Sequence, residues 1–139
     1  MSQFVLDASI VLTWCFPDEN AALADHVARR FVHGNTALVP SFWPHEVLNA
    51  LLMGEKRKRI SKEKIEEFLA DLTILPIVLQ QSPVITVFSR IQSLSHRHGL
   101  TAYDAAYLDL ALDKGLPLAT LDEDLMTACK DARVKLMKS

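Results

Sequence analysis

The segment FVLDAS, residues 4–9, joins a short apolar run to a carboxylate. The run from Phe4 to Leu6 predicts a strand, and Asp7 follows where that run stops. A carboxylate at the end of a buried strand is costly unless it has a partner. The residues after it, Ala-Ser-Ile, show no helical pattern strong enough to explain Asp7 as a helix cap. A local structural role therefore does not account for this acid.

Short apolar runs and helical patterns alternate along the rest of the chain, without a Gly/Ser-rich linker or a repeat. Strands separated by helices imply right-handed crossovers and a mostly parallel sheet with helices on both faces. The predicted fold class is thus α/β, a three-layer α/β/α sandwich. The predicted strands are residues 4–6, 37–39, 77–79, 118–121 and 134–137, and the predicted helices are 21–32, 44–57, the segment after Ser61 to Leu72, 83–98, 100–114 and 123–131.

Composition limits the possible classes of protein. The chain has 139 residues, 50% of them hydrophobic, which predicts a single globular domain over residues 1–139. No apolar run approaches the ~18 residues of a membrane span, and the start lacks a basic leader, so we expect a soluble, cytoplasmic protein without a membrane partner. Cys15 and Cys129 lie far apart and predict small buried thiols rather than a disulfide framework or a zinc site. A net charge of -2 means that any nucleic acid needs a local binding site.

Three acids are predicted at one edge of the sheet, outside the carboxyl ends of the strands, where ligands bind in such folds. Asp7 and Asp122 each follow a predicted strand, and Glu46 lies in the first turn of the helix after the strand at 37–39. Two of them also have a purely structural interpretation. Glu46 could complement the helix dipole, and Asp122 could be the N-cap of the helix that begins at residue 123.

A fourth acid lies in GLTAYDAAYLDLA, residues 99–111, a helical segment that is apolar nearly all round. Asp109 and Asp113 share a bearing and predict a solvated stripe, whereas Asp104 lies roughly 140° from Asp109 and faces apolar neighbours. Asp104 also has N3 spacing from a potential N-cap, Thr101, so a capping role is an alternative. Placing Asp104 at the same sheet edge requires that the chain has already crossed back over the sheet.

A single shared cause explains the presence of four acids at one edge better than four independent structural roles do. Carboxylates that crowd together raise one another's pKa and destabilise the fold unless a proton or a metal neutralises them. Mg²⁺ and Mn²⁺ take oxygen ligands and leave coordination positions for a substrate phosphate. A bound ion activates water and offsets charge on the phosphate, which points to phosphodiester hydrolysis.

Four segments then resemble, in order, those of PIN-domain ribonucleases, and most closely the VapC-type toxins of toxin–antitoxin pairs. They are FVLDAS, PSFWPHEVLNAL (residues 40–51), GLTAYDAAYLDLA and PLATLDEDL (residues 117–125). The resemblance implies a Mg²⁺- or Mn²⁺-dependent endoribonuclease for structured RNA such as tRNA or ribosomal RNA, often a homodimer, with a cognate antitoxin. It implies Asp7, Glu46, Asp104 and Asp122 as the catalytic and metal-binding acids. The supporting residues it implies are Ser9 and Thr120 near the metal or its water, and Asn49 to orient Glu46 or contact the substrate. Asp124, two residues past Asp122, could share or take over the role of the fourth ligand.

Two further points stay open in the sequence. The basic run Lys56, Arg57, Lys58 and Arg59 could be a solvated helix end or could bind RNA backbone. The acids could belong to a non-catalytic RNA-binding or protein-interaction module. They could also belong to an aspartate-nucleophile phosphatase, although Ser9 stands where such phosphatases normally carry a second Asp.

Overall fold

The computed structural model describes residues 2–16 and 21–138. Within these ranges the strands form one parallel sheet in the order β3-β2-β1-β4, which confirms the predicted parallel arrangement. Val5 of the central strand pairs with Leu38 on one side and Leu118 on the other. The predicted strand at 134–137 is reduced to one bridge between Leu136 and Leu118. The strands are β1 (Gln3–Leu6), β2 (Thr36–Pro40), β3 (Ile77–Gln80) and β4 (Leu118–Ala119).

All six predicted helical regions are helical, and the region at 83–98 contains an additional irregularity. Its middle is a π-helical segment, Val87–Ile91, between two α-helical parts. No helix among the described residues is long and apolar enough to cross a membrane. The helices are α1 (Ala8–Cys15), α2 (Ala21–Val32), α3 (Trp43–Lys56), α4 (Lys62–Thr73), α5 (Val84–Thr86), α6 (Gln92–His98), α7 (Ala102–Lys114) and α8 (Glu123–Asp131).

Helix α1 was not predicted, and the expectation that no helix follows Asp7 is wrong. Its sequence, ASIVLTWC, is rich in β-branched and aromatic residues, which have modest helix propensity. Ile10 and Val11 are completely buried, so tertiary packing supplies the stability that propensity lacks. Both cysteines are free thiols. Cys129 is buried as predicted, whereas Cys15 at the end of α1 is only half-buried.

The order of the strands reveals where the chain changes direction across the sheet. The chain moves from β1 to β2 to β3 on one side and then returns to place β4 on the other side of β1. Right-handed crossovers in opposite directions put helices on opposite faces. Accordingly α1 packs on α2 and α3, while α7 packs on β1, β2 and β4. The three-layer sandwich is thus confirmed, and its topological switch point lies between β1 and β4, where ligands bind in open α/β sheets.

Helix α7 corrects one expectation about solvent exposure. Asp109 was predicted to face solvent, but it is only 5% exposed. Arg90 of the π-helical segment binds the Asp109 carboxylate through two hydrogen bonds. Its Nε donates to Oδ1 at 2.9 Å and its Nη2 donates to Oδ2 at 3.1 Å. Asp113 on the same bearing is exposed and lies 3.7 Å from Arg90. Helical periodicity correctly placed Asp109 and Asp113 on one side of α7. It could not show that a neighbouring segment buries Asp109 and leaves Asp113 exposed.

We predict that Arg90→Met lowers the melting temperature by several degrees, because the buried Asp109 carboxylate loses both donors. The double variant Arg90→Met/Asp109→Leu should recover part of that loss, since no buried charge then remains unpaired. Thermal unfolding of the two single variants and the double variant measures the coupling. Strictly additive effects would show that the pair contributes nothing beyond its separate side chains.

Candidate active site

Four acids line one open cleft of about 430 Å³ at the carboxyl edge of the sheet. Asp7 follows β1, Asp122 follows β4, Glu46 lies in the first turn of α3, and Asp104 lies in the first turn of α7. The structure therefore brings together all four acids that the sequence placed at this edge. The step assumed for Asp104, that the chain has returned to this edge by the start of α7, is confirmed because Asp104 lines the same cleft as the other three acids. The cleft opens at the switch point between β1 and β4.

Asp7 is the most buried of the four, with 7% of its surface exposed. Its Oδ2 atom accepts hydrogen bonds from the Ser9 hydroxyl at 2.7 Å and the Thr120 hydroxyl at 2.6 Å. The two hydroxyl oxygens in turn accept the backbone N–H groups of Leu121 and Asp122, both at 3.0 Å. Because those oxygens accept backbone protons, their own protons point to Asp7. Asp7 precedes α1 at the N-cap position but makes no capping bond with its side chain, so a cap does not explain it.

Glu46 is oriented by a residue that the sequence analysis missed. The hydroxyl of Tyr107 donates to Glu46 Oε1 at 2.5 Å. The Tyr107 side chain has no exposed surface, and the ring of Phe42 meets it edge-on with centroids 5.8 Å apart. Tyr107 lies three residues after Asp104 on α7, so the two share a helix face. That spacing was the available signal for a buried hydroxyl beside the acids.

Asp122 and Thr101 both act as helix N-caps, as the structural interpretation of the sequence predicted. Asp122 Oδ1 accepts the N–H of Leu125 at 2.9 Å, so this acid caps α8. Thr101 caps α7 by accepting the N–H of Asp104 at 3.1 Å. The cap on α7 is therefore the threonine. The carboxylate of Asp104 lines the cleft.

Burial and mutual repulsion raise the pKa of three of these acids. Burial is the main cause for Asp7, whose pKa is also raised by the charge of Asp122 and is partly lowered by its two hydroxyl donors. Burial likewise raises the pKa of Glu46, with a contribution from Asp7. The pKa of Asp104 rises to about 6, first through burial and then through the charges of Asp122, Asp7, Glu46 and Asp124. Full ionisation of this cleft is therefore unfavourable without a neutralising partner.

The remaining residues implied by the resemblance lie in different places. Ser9 and Thr120 both hold Asp7, as described above. Asn49 is exposed, and the partner of Glu46 among the described residues is Tyr107 rather than Asn49. Asp124 is exposed but close enough to raise the pKa of Asp104. The basic run from Lys56 to Arg59 is exposed after the end of α3, with the Arg59 guanidinium 4.7 Å from the centre of the Phe16 ring.

The donor set of the cleft fits a hard divalent cation. It offers carboxylate oxygens and hydroxyls, which are the ligands that Mg²⁺ and Mn²⁺ prefer. The pKa values of Asp7, Glu46 and Asp104 are raised first by burial and then by neighbouring acids, so a positive charge in the cleft would favour their ionised forms. The acids surround the cleft rather than converge on a point. Within residues 2–16 and 21–138, no three His, Cys, Asp or Glu side chains are close enough to hold an ion as they stand. That spacing suits an ion that keeps several of its waters.

Comparisons with known proteins agree with this architecture. The chain is 28% identical over 123 residues to ribonuclease VapC3 of Pyrobaculum aerophilum, which covers 88% of this chain and 92% of the relative. Among solved structures it resembles Mycobacterium tuberculosis VapC20, a sarcin–ricin loop cleaving toxin, with a TM-score of 0.67, 13% identity, and coverage of 90% of this chain and 94% of the other. It also resembles a toxin–antitoxin complex from Klebsiella pneumoniae, with a TM-score of 0.58, 15% identity, and coverage of 87% and 88%.

The comparison with family models gives the broadest assignment. The PIN domain model matches residues 4–130, which is nearly the whole chain and includes Asp7, Glu46, Asp104 and Asp122. The match begins in β1, the strand that Asp7 directly follows, and ends in the helix that Asp122 caps. The chain therefore belongs to the PIN domain family.

Proposed function

We propose that this protein is a metal-dependent endoribonuclease that hydrolyses phosphodiester bonds in structured RNA, tRNA or ribosomal RNA, as the toxin of a toxin–antitoxin pair in the cytoplasm. The observation that carries the proposal is the cleft in which four carboxylates meet at the switch point of the sheet. A scaffold or a pure binding module gains nothing from gathering like charges in a half-buried site, since that arrangement destabilises the fold. Catalysis by a bound cation gives the arrangement a purpose.

Asp7, Glu46, Asp104 and Asp122 would hold Mg²⁺ or Mn²⁺. When bound, such an ion makes water a better nucleophile and offsets the charge that develops on the phosphate and the leaving oxygen. The protein's own task is to keep the carboxylates in place before the ion arrives. The hydroxyls of Ser9 and Thr120 fix Asp7, and the hydroxyl of Tyr107 fixes Glu46. Such outer hydrogen bonds orient ligands and tune their affinity for the ion.

RNA needs positive charge near an acidic cleft, and the basic run is the available source along α3. Lys56 to Arg59 follow the helix that begins near Glu46, and all four side chains are exposed. We propose that they contact the RNA backbone beyond the cleft. Contacts of this kind make affinity fall as salt concentration rises. Asn49, exposed on the same helix one turn after Glu46, is proposed to contact the substrate, and Asp124 to modulate the site through its charge.

The partners follow from the relatives. Two of them are an RNA-cleaving toxin and a ribonuclease, and a third is a toxin bound to its antitoxin. Proteins with the same fold over nearly their full length thus act on RNA or assemble with an antitoxin. We propose both partners for this chain, together with a homodimeric state.

The first test is cleavage of a panel of tRNAs and ribosomal RNA fragments by the purified protein, with Mg²⁺, with Mn²⁺ or with chelator. We expect discrete cleavage that requires the metal. Asp104→Asn should reduce the cleavage rate by at least about 100-fold, because one ligand charge is lost from the cleft.

Asp71→Asn is the matched control, since it removes an exposed acid on α4 outside the cleft and should cleave like the wild type. Both variants must show the circular dichroism spectrum of the wild type. Equal cleavage by wild type and Asp104→Asn would identify a contaminating nuclease and overturn the proposed function.

A second prediction concerns the hydrogen bond that orients Glu46. Tyr107→Phe keeps the buried ring but removes the only proton that the structure aims at Glu46 Oε1 among the described residues. We expect the metal concentration for half-maximal cleavage to rise about 10- to 100-fold, with the maximal rate largely recovered at saturating metal. A metal titration of the cleavage rate measures both quantities. A loss of maximal rate with unchanged metal affinity would contradict the orienting role.

A third prediction concerns stability without metal. Asp104 has a pKa of about 6 in the folded protein and an ordinary value near 3.8 when unfolded, so the folded state binds more protons between these values. Stability should therefore fall as pH rises from about 4 to about 6 in chelator. Asp104→Asn should be more stable than the wild type at pH 7 by about 1–2 kcal/mol, after discounting for solvent screening, and equal to it below about pH 4. Urea unfolding at pH 4 and pH 7 measures the free energy of unfolding of both proteins. If Asp104→Asn were less stable than the wild type at pH 7, the predicted repulsion would be contradicted.

A further inference from the structure

A second cavity of about 280 Å³ lies beside the acidic cleft at the same edge of the sheet. It is bordered by the carboxyl ends of β2 and β3 and by the π-helical segment, and it runs along α7 from the first turn to the last. The two cavities share a wall. Tyr103 lines the second cavity and Asp104, the next residue, lines the cleft. Phe42 lines the second cavity one helical turn before Glu46.

Two flat side chains offer stacking surfaces in this cavity. The Tyr103 ring is 59% exposed although it is large and apolar, and the Phe42 ring supports it edge-on with centroids 5.1 Å apart. The Arg90 side chain is 56% exposed, and its two bonds to Asp109 fix the guanidinium plane. Aromatic rings and guanidinium planes are the platforms on which proteins stack unpaired bases.

The edges of the cavity supply hydrogen-bonding groups of neutral character. Ser41, Gln81 and Ser82 line it and are exposed, so their hydroxyl and amide groups can meet the edge of a base. Its charged residues cancel: two cations, Arg90 and Lys114, face two anions, Asp109 and Asp113. The cavity thus lacks the net negative charge of the neighbouring cleft. A π-helical segment in its wall is also a feature found frequently at functional sites.

We propose that this cavity binds one unpaired base of the RNA substrate, stacked on Tyr103, in the nucleotide next to the phosphate that lies in the acidic cleft. The proposal rests on the proposed function for the identity of that phosphate. Tyr103 and Asp104 are consecutive residues of α7 that line the two adjoining cavities, so a base stacked on one and a phosphate beside the other are near enough to belong to neighbouring nucleotides. The base must be unpaired, because a base within a helix does not present its face. The cavity would therefore select single-stranded loops or bulges in structured RNA.

The direct test uses the four uncharged ribonucleosides and ¹⁵N-labelled full-length protein in chelator, so that neither metal nor cleavage is needed. At millimolar nucleoside we expect the backbone amide signals of Tyr103 and Gln81 to shift, while those of α8 stay constant. Tyr103→Ala should abolish the shift of Gln81, and Tyr103→Phe, which keeps the ring, should restore it. Absence of any shift at these positions for all four ribonucleosides would overturn the proposal.

The kinetic test uses the RNA that the wild type cleaves. Tyr103→Ala should raise KM about 5- to 150-fold with little change in kcat, which is the usual effect of losing one stacked base. Phe88→Ala is the matched control: Phe88 is 67% exposed on the same π-helical segment but does not line the cavity, and its KM should stay at the wild-type value. An unchanged KM for Tyr103→Ala would contradict base stacking at this residue. If the only effect of Tyr103→Ala were a changed oligomeric state by analytical ultracentrifugation, the surface would be a protein contact instead.

The two proposals fail in different ways. If the wild type binds nucleosides at Tyr103 but cleaves no RNA, the base site stands and the nuclease proposal falls. If cleavage requires Asp104 but Tyr103→Ala behaves as wild type in both tests, the nuclease stands and the base site falls.

Discussion

The constraint on which this structure depends is the repulsion among four carboxylates that share one cleft. The pKa values of Asp7, Glu46 and Asp104 are all raised, mainly by burial and then by neighbouring acids. Three hydroxyl groups offset part of this repulsion locally, because two of them donate hydrogen bonds to Asp7 and one donates to Glu46. The packing of β1 stabilises the fold against the remaining repulsion, since Phe4, Val5 and Leu6 of this strand have no exposed surface. A fully buried central strand can tolerate an unfavourable residue at its end because its apolar neighbours supply a much larger stabilisation.

Much of this arrangement could be predicted from sequence, because the informative signals are local. A parallel sheet brings the ends of its strands to one edge, so Asp7, Asp122 and Glu46 could be placed together without knowledge of any contact. What could not be predicted depends on tertiary packing. Helix α1 forms because Ile10 and Val11 are buried. Asp109 is buried because the π-helical segment brings Arg90 against it. A hydrogen bond such as that of Tyr107 to Glu46 joins residues 61 positions apart. The four acids were therefore found from the sequence, and Ser9 and Thr120 were named through the family resemblance, whereas Tyr107 was not found.

Helix α7 shows how one segment serves several environments. Tyr103 faces the neutral cavity, Asp104 the acidic cleft, Tyr107 the carboxylate of Glu46, and Asp109 the guanidinium of Arg90. Successive residues on a helix are about 100° apart, so four surroundings can be met within two turns. The helix is therefore apolar nearly all round and yet carries polar groups on every side. A helix with a single polar face could not make these four contacts. The sequence of α7 therefore lacks a simple amphipathic pattern.

The division between an acidic cleft and a neutral cavity also resolves a conflict in binding RNA. Under the proposed function, four carboxylates would repel the phosphate that they act on, so binding energy would have to come from groups outside the cleft. Stacking on Tyr103 is insensitive to that repulsion, because it acts on the uncharged face of a base. The exposed basic run at the end of α3 is proposed to contact the RNA backbone at a greater distance, and such contacts are weakened by salt. Contacts remote from the reacting phosphate then offset the cost of bringing it among like charges. An overall charge of -2 is thus compatible with an RNA substrate, because affinity is assigned to the neighbours of the cleft and not to the chain as a whole.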